Sequence, residues 1–303
     1  SGGKRLRPAF CHWGYVGAGG GTDDQIDVDA GAALELMHAF ALFHDDVMDD
    51  AATRRGQPTT HAVAAADHAS NGWVGESRRF GEGVAVLVGD LAFVYADQLL
   101  EAAPPEAMRV WNELRIELNI GQYLDILGSV QSVRDVDKAE RICRYKSGKY
   151  TIERPLHLGA LLAAPDRGDE FLPALSAYGL PLGDAFQMRD DVMGAFGDAD
   201  LTGKPVGGDL REGKPTPLLA RAVRSATPEQ RAVLDLVGQP AMDDETVARI
   251  QQAIIDTGAL EELEAHIATL TNNAVSSLDA APITDTAKTE LIALADYVSW
   301  RNI

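Results

Sequence analysis

Cysteine is scarce in this sequence. The 303 residues include two cysteines, Cys11 and Cys143, which lie too far apart along the chain to form a Cys-x-x-Cys pair. This scarcity argues against a disulfide framework and against a clustered structural zinc site, and it indicates a reducing compartment. We therefore predict that both thiols are core residues.

Basic residues are also in short supply. There are 27 Lys and Arg residues against 46 Asp and Glu residues, which gives a formal net charge of −19 at pH 7. So acidic a chain is repelled by nucleic-acid backbones and by anionic membrane surfaces. We expect a soluble, cytoplasmic protein with no nucleic-acid partner, in which any anionic ligand is held by a local cluster of cations.

Long uncharged apolar runs are missing as well. The most apolar stretch, residues 83–100, contains Asp90 and Asp97, which disfavours a transmembrane segment and predicts a core helix. The first residues, up to Pro8, lack the features of a targeting signal and resemble the interior of a protein. We therefore expect that an N-terminal segment is missing from this sequence.

Strand-like alternation is almost absent, whereas apolar residues recur every three or four positions in segments rich in Ala and Leu. The sequence thus predicts an all-α fold. Clusters of Gly, Pro and Asp separate the helices, and the longest such break, residues 196–217, suggests a functional loop. The predicted helices are 29–50, 84–101, 107–129, 138–163, 171–195, 215–225, 245–278 and 286–300.

Two similar acidic segments stand half a chain apart, at 45–48 and 190–193, and both read Asp-Asp-Val-Met. On a helix, Asp45 and Asp49 project from one face, with His38 about two turns earlier on the same stripe. Carboxylates at that spacing repel each other, so their place at the end of an apolar helix suggests a bound cation. A solvated helix end is the alternative interpretation.

Cationic residues accompany both acidic segments. Arg54 and Arg55 follow the first segment, and a glycine-rich loop with Lys204 and Lys214 follows the second. Carboxylates suit magnesium, and guanidinium or ammonium groups suit phosphate oxygens, so the combination fits a metal-bridged diphosphate. A network of Asp–Arg salt bridges is the alternative interpretation of the same residues.

Several motifs, taken in order, make the chain resemble the trans-polyprenyl diphosphate synthases, in particular the short-chain geranylgeranyl and farnesyl diphosphate synthases. They are Gly-Gly-Lys-Arg-Leu-Arg-Pro at 2–8, the first acidic motif at 45–49, Arg-Arg-Gly at 54–56, Gly-Asp at 89–90, Gln122 with Asp125, Lys-Ser-Gly at 146–148, the second acidic motif at 187–191, and Gly-Gly-Asp-Leu-Arg-Glu-Gly-Lys at 207–214. The resemblance implies one synthase domain over residues 1–303, with an isoprenoid-synthase-type helical bundle around a central active-site cavity, and a homodimer.

The resemblance also implies roles for individual residues. It makes Asp45, Asp49 and Asp190 ligands of magnesium, about three ions per active site, with Asp46 and Asp191 beside them. It places Arg54, Lys146 and Lys204 on the allylic diphosphate, and Lys4, Arg7, His38 and Arg55 at the isopentenyl diphosphate site. The supporting positions are Ser147, Gln122, Asp125, Gln187, Asp209 and Lys214.

One position departs from the family pattern. The second acidic motif of the family usually ends in a third Asp, and Gly194 stands at that position in this chain. We therefore expect metal binding there to rest on Asp190 and Asp191 and to be weaker than usual. Asp198 is a less suitable substitute because it lies further along the chain.

The family reaction begins when diphosphate leaves the allylic substrate, a charge separation that metals and cations stabilise. The double bond of isopentenyl diphosphate then attacks the allylic cation, and the released pyrophosphate takes the proton, so no catalytic His or Ser is predicted. Product length is expected to depend on Phe40, which blocks the cavity, and on Ala41, which leaves room. With no insertion between Asp45 and Asp49, the chain resembles enzymes that make C-20 or C-15 products.

Two other functions fit part of this pattern. A terpene cyclase shares the helical fold and the first acidic motif, but it has no need of a second-substrate site formed by Lys4, Arg7 and Arg55. A non-catalytic regulatory subunit of a prenyl synthase would carry damaged acidic motifs. Gly194 keeps this alternative open, whereas the intact first motif opposes it.

Overall fold

The computed structural model of the chain describes residues 4–54, 56–132, 134–197, 207–240 and 242–300. Helices make up most of these residues, and the strands among them are two short segments paired as a hairpin. The all-α prediction is therefore confirmed. The elements are α1 (Leu6–Gly17), α2 (Gln25–Met48), β1 (Thr53–Arg54), β2 (Gln57–Pro58), α3 (Thr60–Ser70), α4 (Ser77–Leu99), α5 (Pro105–Val130), α6 (Val136–Cys143), a π-helix (Arg144–Glu153), α7 (Arg154–Ala163), a 3-10 turn (Pro165–Arg167), α8 (Gly168–Phe196), α9 (Gly208–Glu212), α10 (Pro217–Ser225), α11 (Pro228–Leu234), α12 (Asp244–Asp256), α13 (Ala259–Ser277) and α14 (Asp285–Ser299).

Two of the predicted helices differ from the prediction. Residues 245–278, predicted as one helix, form α12 and α13, because Gly258 separates them with φ = 75°. Glycine enters this left-handed conformation without the steric cost that a side chain would bring. The predicted helix 138–163 is continuous, but its middle third is the π-helix, whose turns are wider than those of an α-helix.

Four short helices, α1, α3, α9 and α11, lie outside the predicted helical segments. Most apolar residues of α3 are alanines, so no stripe of large apolar side chains marks it. The seven residues of α11 are too few for a periodic pattern. A local signal was present, however, because Thr227 and Gln230 form a capping box at its start.

The described residues up to Ala9 and the segment Asp23–Ala103 form one compact unit, called unit 1 here. Within unit 1, α4 packs against both α2 and α3. Small residues allow this approach: a Cβ atom at Gly81 would overlap the carbonyl oxygen of His61, and one at Gly89 would lie 2.5 Å from Nε2 of His44. Such packing fixes the end of α2, which carries the first acidic segment, against α4.

Phe10–Thr22 and the described residues from Pro104 onwards form a second compact unit, unit 2. Its helix α8 packs against the π-helix, α7, α13 and α14, and buried residues of α8, α10, α12 and α13 share one apolar core. Both Cys11 and Cys143 are buried thiols, as predicted. A single domain over residues 1–303 stays a prediction.

Arg189 anchors α8 to the last described helices. Its guanidinium is buried and donates two hydrogen bonds of 2.6 Å to the carboxylate of Glu264 on α13, and a third of 2.7 Å to the carbonyl oxygen of Ser299. A buried charge is tolerated when its donors are satisfied in this way. These contacts determine how α8 is rotated about its own axis at Arg189, the residue that precedes Asp190.

No described helix combines the length and the apolar character that crossing a lipid bilayer requires.

Candidate active site

The first acidic segment lies at the end of α2 in unit 1. Asp45 is half-buried, Asp46 is buried and Asp49 is exposed. The helix ends at Met48 and is capped by Asp49, whose backbone N–H donates to the carbonyl oxygen of Asp45 at 2.8 Å, and Asp50 follows with φ = 51°. The carboxylates of Asp45 and Asp49 are therefore presented at a helix end, as the spacing predicted.

A hairpin returns Arg54 to these carboxylates. Strands β1 and β2 pair Arg54 with Gln57, and the hairpin is tied down where Thr59 donates to the carbonyl oxygen of Ala51 at 2.7 Å. The Nε of Arg54 lies 2.5 Å from Oδ1 of Asp46, and its Nη2 lies 3.4 Å from Oδ2 of Asp45. Ion pairs of the kind named as the alternative interpretation are thus present between Arg54 and these two carboxylates, and Arg55 lies outside the described residues.

Burial affects the ionisation of Asp46. Its side chain is 8% exposed, and desolvation raises its pKa, whereas the hydrogen bond and charge of Arg54 lower it and the neighbouring Asp45 raises it. The net result is a pKa of Asp46 above its usual value, because desolvation outweighs the stabilisation that Arg54 gives to the ionised form. Asp46 is thus enclosed, whereas Asp45 and Asp49 are more accessible.

The N-terminal segment of unit 1 is held on the same helix. Arg5 forms an ion pair with Glu35 of α2, and His38 follows one helical turn later. Lys4 is exposed and Arg7 is half-buried in the first turn of α1. Arg5, to which the resemblance assigned no substrate contact of its own, brings its two cationic neighbours to the part of α2 that carries His38.

Phe40 and Ala41 are half-buried and lie about one turn before Asp45. The ring of Phe40 contacts Phe93 of α4, with centroids 4.8 Å apart, and also His44, at 4.6 Å. His44 in turn has its Nε2 3.1 Å from the carbonyl oxygen of Val86. The position of Phe40 is therefore determined by packing against α4.

In unit 2, three residues spaced by four on α5 contact the π-helix region. Glu117 pairs with Lys149 and with Arg154, whose Nε lies 2.7 Å away, and Asp125 pairs with Lys146 at 2.5 Å. Between the two acids, Gly121 lies so close that a Cβ atom there would be 2.5 Å from the Cα of Lys146. This row of α5 sets the position of Lys146 and of the adjacent Ser147.

Other charged groups complete the support of the π-helix. Arg144 pairs with Asp184 of α8. On α7, His157 is buried, which lowers its pKa to about 3, with the nearby Arg154 acting in the same direction. The neutral imidazole lies 3.0 Å from the hydroxyl of Ser176, which donates to Glu153 at 2.7 Å. The π-helix is thus joined by polar contacts to α5, α7 and α8.

The contacts of Glu117 lead to a prediction about the free energy of unfolding. Glu117→Gln removes the charge that pairs with two half-buried cations, Lys149 and Arg154, so we expect the free energy of unfolding to fall by about 2–3 kcal/mol. Urea denaturation followed by circular dichroism measures it. The matched control is Glu113→Gln, since Glu113 contacts the same Arg154 from a more exposed position, 3.3 Å away. Equal losses in the two variants would contradict the role given to Glu117.

The second acidic segment lies in the last two turns of α8. Asp190 is half-buried, whereas Asp191 is 4% exposed and accepts hydrogen bonds from Gln187, at 2.8 Å, and from the thiol of Cys143, at 3.7 Å. Burial raises the pKa of Asp191 well above its usual value, and the charges of Asp209 and Asp190 add to the rise. Asp190 is the more accessible carboxylate of the pair.

Helix α9 brings a further carboxylate to this segment. A Cβ atom at Gly194 would overlap Oδ2 of Asp209 and lie 2.5 Å from its Cγ. The other oxygen of Asp209 lies 3.5 Å from Nζ of Lys214, which also pairs with Glu212 at 2.6 Å. Lys204 and Asp198 lie outside the described residues, and Gln122 is half-buried on α5.

Comparison with known proteins decides the family. The model of the polyprenyl synthetase family matches residues 1–254. The chain is 33% identical to the geranylfarnesyl diphosphate synthase of Aeropyrum pernix, over 98% of this chain and 90% of that protein. It is also 33% identical to the farnesyl diphosphate synthase of Escherichia coli, over 88% of this chain and 84% of that protein. The chain belongs to the polyprenyl synthetase family.

A solved structure of this family agrees in fold. The geranylgeranyl pyrophosphate synthase of Corynebacterium glutamicum, crystallised with isoprenyl diphosphate and magnesium, is 40% identical and superposes with a TM-score of 0.91 over 99% of this chain and 87% of that one. The isoprenoid-synthase-type helical fold expected from the motifs is confirmed. The two acidic motifs lie in different units, and their predicted meeting across a cavity stays a prediction.

The donors of this polyprenyl synthetase fit a hard divalent cation. Asp190 and Asp191 lie near the end of α8, and the carboxylate of Asp209 occupies the space beside Gly194, one turn after Asp190; oxygen donors of this kind are those that magnesium prefers. Within the described ranges, no three His, Cys, Asp or Glu side chains form a complete metal site. Phosphate oxygens would complete the coordination, as is usual for magnesium.

Sequence reasoning missed two contacts that α8 makes with the region of Cys143 and Arg144. It took Cys143 as a core residue only, yet the thiol also donates to Asp191. It assigned no role to Asp184, which holds Arg144 of the π-helix. Helical spacing was the available signal for Asp184, because residues 184, 187 and 191 lie on one face of α8.

Proposed function

We propose that this polyprenyl synthetase condenses isopentenyl diphosphate head-to-tail with an allylic diphosphate and releases pyrophosphate. The observation that carries the proposal is the occurrence, once in each unit, of a carboxylate cluster at a helix end with cations attached to it: Arg54 in unit 1 and Lys214 in unit 2. Family membership supports the same reaction.

The chemistry requires that the allylic C–O bond breaks and that the diphosphate leaves with the electron pair. The double bond of isopentenyl diphosphate then forms the new C–C bond, and a proton passes to the released diphosphate. Bound magnesium would neutralise the departing anion. Asp45, Asp49 and Asp190 are the proposed ligands, and Asp46 and Asp191 orient their surroundings.

The cationic side chains bind and orient the two substrates in this proposal. Arg54 and Lys146, each already fixed by a carboxylate, contact the allylic diphosphate together with Lys204. Ser147 and Gln187 offer oxygen atoms near the allylic carbon, where partial negative charge stabilises the developing cation. Gln122, Asp125 and Lys214 hold these groups in place.

The isopentenyl diphosphate site is proposed at the N-terminal segment of unit 1. Lys4, Arg7 and Arg55 supply the positive charge and His38 a hydrogen-bonding ring. The ion pair of Arg5 with Glu35 supports the placement, because it ties the basic segment to α2 three residues before His38. A terpene cyclase, which binds one diphosphate substrate, would not need this second cluster.

The test is to incubate the protein with magnesium and isopentenyl diphosphate and, in turn, five-, ten- and fifteen-carbon allylic diphosphates. Mass spectrometry then sizes the products, and a parallel reaction with EDTA tests the metal requirement. We expect elongation in five-carbon steps, abolished by EDTA. A cyclised hydrocarbon would favour the cyclase alternative, and no turnover with any allylic partner would favour a regulatory subunit.

We propose a C-20 or C-15 product, limited by Phe40 with Ala41 beside it. Phe40→Ala removes the ring that packs on Phe93, so we expect products longer by one or more five-carbon units, measured by mass spectrometry. The matched control is Phe80→Ala, because Phe80 lies at the start of α4 and packs on Trp73 and His68 instead. Unchanged product length in Phe40→Ala would remove the basis for this assignment.

A homodimer is also proposed. On α4, a stripe that includes Leu87, Leu91 and Val94 exposes large apolar side chains, and α5 does the same with Ile116 and Tyr123 among others. Exposed apolar surface of this extent is typical of interaction sites. Light scattering that gave the mass of one chain would contradict the dimer.

We further propose that the enzyme uses magnesium, about three ions per active site, and works in the cytoplasm. The carboxylate donors support the first point. The two cysteines support the second, because both are buried as thiols and buried thiols are typical of proteins from reducing compartments.

A further inference from the structure

The π-helix carries Lys146 and Ser147 near its start and the buried Glu153 at its end. We propose that Ser176 of α8 is a positioning residue for Lys146 and Ser147, and that it acts through a hydrogen bond to Glu153. The inference deepens the proposed function and rests on it, since Lys146 is there taken to contact the allylic diphosphate. Ser176 touches no substrate in this proposal, so its effect passes through the backbone of the π-helix.

Glycines of two neighbouring helices leave the π-helix little room to move sideways. A Cβ atom at Gly179 of α8 would lie 2.9 Å from the Cα of Glu153. On the α5 side, a Cβ atom at Gly121 would lie 2.5 Å from the Cα of Lys146. Backbone packed this closely on backbone cannot yield, so these contacts fix the distance of the π-helix from α5 and α8. Its rotation about its own axis is then determined by polar contacts.

The hydrogen bonds around Ser176 can run in one direction only. Nη1 of Arg154 lies 3.3 Å from Nδ1 of His157, and because a guanidinium group can only donate, Nδ1 must accept. The neutral ring therefore carries its proton on Nε2, which lies 3.0 Å from the hydroxyl oxygen of Ser176. That hydroxyl accepts from His157 and donates its own proton to Oε1 of Glu153 at 2.7 Å. Ser176 thus joins α7 and α8 to the end of the π-helix.

The carboxylate of Glu153 depends on this donor. It is 4% exposed, and within the described ranges no donor forms a hydrogen bond with its second oxygen, Oε2. Lys149 lies 3.8 Å from Oε2 but already pairs with Glu117 of α5. A buried carboxylate that loses its hydrogen bond is destabilised, so without Ser176 it would be drawn towards Lys149. The π-helix would then rotate and carry Lys146, three residues before Lys149, with it.

The experiment exchanges Ser176 for residues that lack or keep the hydroxyl. Ser176→Ala removes it, and Ser176→Thr keeps it. Ser277→Ala is the matched control, because Ser277 is also half-buried and its hydroxyl donates to the carbonyl oxygen of Ala274 at 2.6 Å, at the end of α13. Isothermal titration calorimetry measures the binding of inorganic pyrophosphate in the presence of magnesium chloride. Steady-state assays measure kcat and the KM for each of the two diphosphate substrates.

We expect Ser176→Ala to weaken pyrophosphate binding and to lower kcat/KM for the allylic diphosphate, each by about 10- to 100-fold, up to the cost of misplacing a reacting group by roughly 1 Å. The KM for isopentenyl diphosphate should stay unchanged, because its proposed site lies on unit 1. A merely structural role would lower the active fraction, and hence kcat, without changing either KM. Ser176→Thr should recover most of the loss, and Ser277→Ala should change little.

Three results would overturn the proposal. They are unchanged pyrophosphate binding in Ser176→Ala, a rise in KM that is equal for both substrates, and a Ser176→Thr variant no better than Ser176→Ala. Circular dichroism verifies folding. If Ser176→Ala does not fold, Ser176→Cys supplies a side chain of similar size with a weaker donor, and pyrophosphate binding equal to that of the unaltered protein would overturn the proposal.

Failure of the proposed function has a different signature. In that case the unaltered protein would elongate no allylic diphosphate, while pyrophosphate would still bind to the variants in the expected order. An unaltered protein that binds no pyrophosphate in the presence of magnesium would overturn the positioning role of Ser176 as well.

Discussion

Asp190→Asn is expected to lower kcat for prenyl transfer by about 10²–10³-fold, the order found when one preorganised electrostatic group is removed. Asp190 is the half-buried carboxylate of the second acidic segment, and the exchange to Asn keeps its shape while removing the negative charge for which metal binding is proposed. Steady-state assays with radiolabelled isopentenyl diphosphate measure the loss. Raising the magnesium concentration should recover part of it, because a weakened site still fills by mass action.

Asp191→Asn is the matched control on the adjacent residue. Asp191 is buried and accepts hydrogen bonds from Gln187 and Cys143, and an amide oxygen can accept in its place. We therefore expect a loss of about tenfold or less, the lower end for a group that supports a metal site. The opposite order, with Asp191→Asn inactive and Asp190→Asn active, would contradict the assignment of Asp190 as the ligand.

Gly121→Ala is expected to lower kcat/KM by about 10²-fold, the cost of misplacing a reacting group by roughly 1 Å. The added methyl group would lie 2.5 Å from the Cα of Lys146, so the π-helix must move away from α5. The free energy of unfolding should fall by about 1–3 kcal/mol, as in other overpacked sites. Kinetics and urea denaturation of the same preparation measure both effects.

Gly128→Ala provides the comparison on the same helix. A Cβ atom at Gly128 would lie 2.9 Å from the Cδ1 of Ile142 and 3.0 Å from the Cγ of Pro215. Both are side-chain atoms, which can shift where backbone cannot. We expect a smaller loss of stability and a near-normal kcat/KM. A larger kinetic loss at Gly128 than at Gly121 would contradict the role of the α5 row in positioning Lys146.

Much of the fold could be predicted because the helices are long and strongly periodic. The end of α2 illustrates this: apolar spacing predicted the helix, and acidic residues at 45 and 49 predicted that it ends in carboxylates. The partner of those carboxylates was also predictable, since Arg54 follows within a few residues. The spacing of residues close together in the sequence was therefore enough to predict the first acidic segment and the cation beside it.

The rest depended on contacts between segments distant in the sequence. Sequence spacing does not show that Asp209 fills the space at Gly194, because that depends on how α9 packs on α8. Nor does it show the π-helix, whose sequence is compatible with an ordinary helix and whose position depends on Glu117, Gly121 and Asp125. The break at Gly258 was predictable in principle, since glycine commonly ends helices.

The burial of Arg189 has a consequence for the order of events during synthesis. Its partners Glu264 and the Ser299 carbonyl lie 75 and 110 residues further along the chain. A ribosome adding about 5–20 residues per second makes those partners available only about 4–20 s later. An unmatched guanidinium is costly to bury, so Arg189 can be buried in its final position only after Glu264 and Ser299 have been synthesised. The segment with Asp190, which adjoins Arg189 on α8, therefore becomes fixed later than its own synthesis would allow.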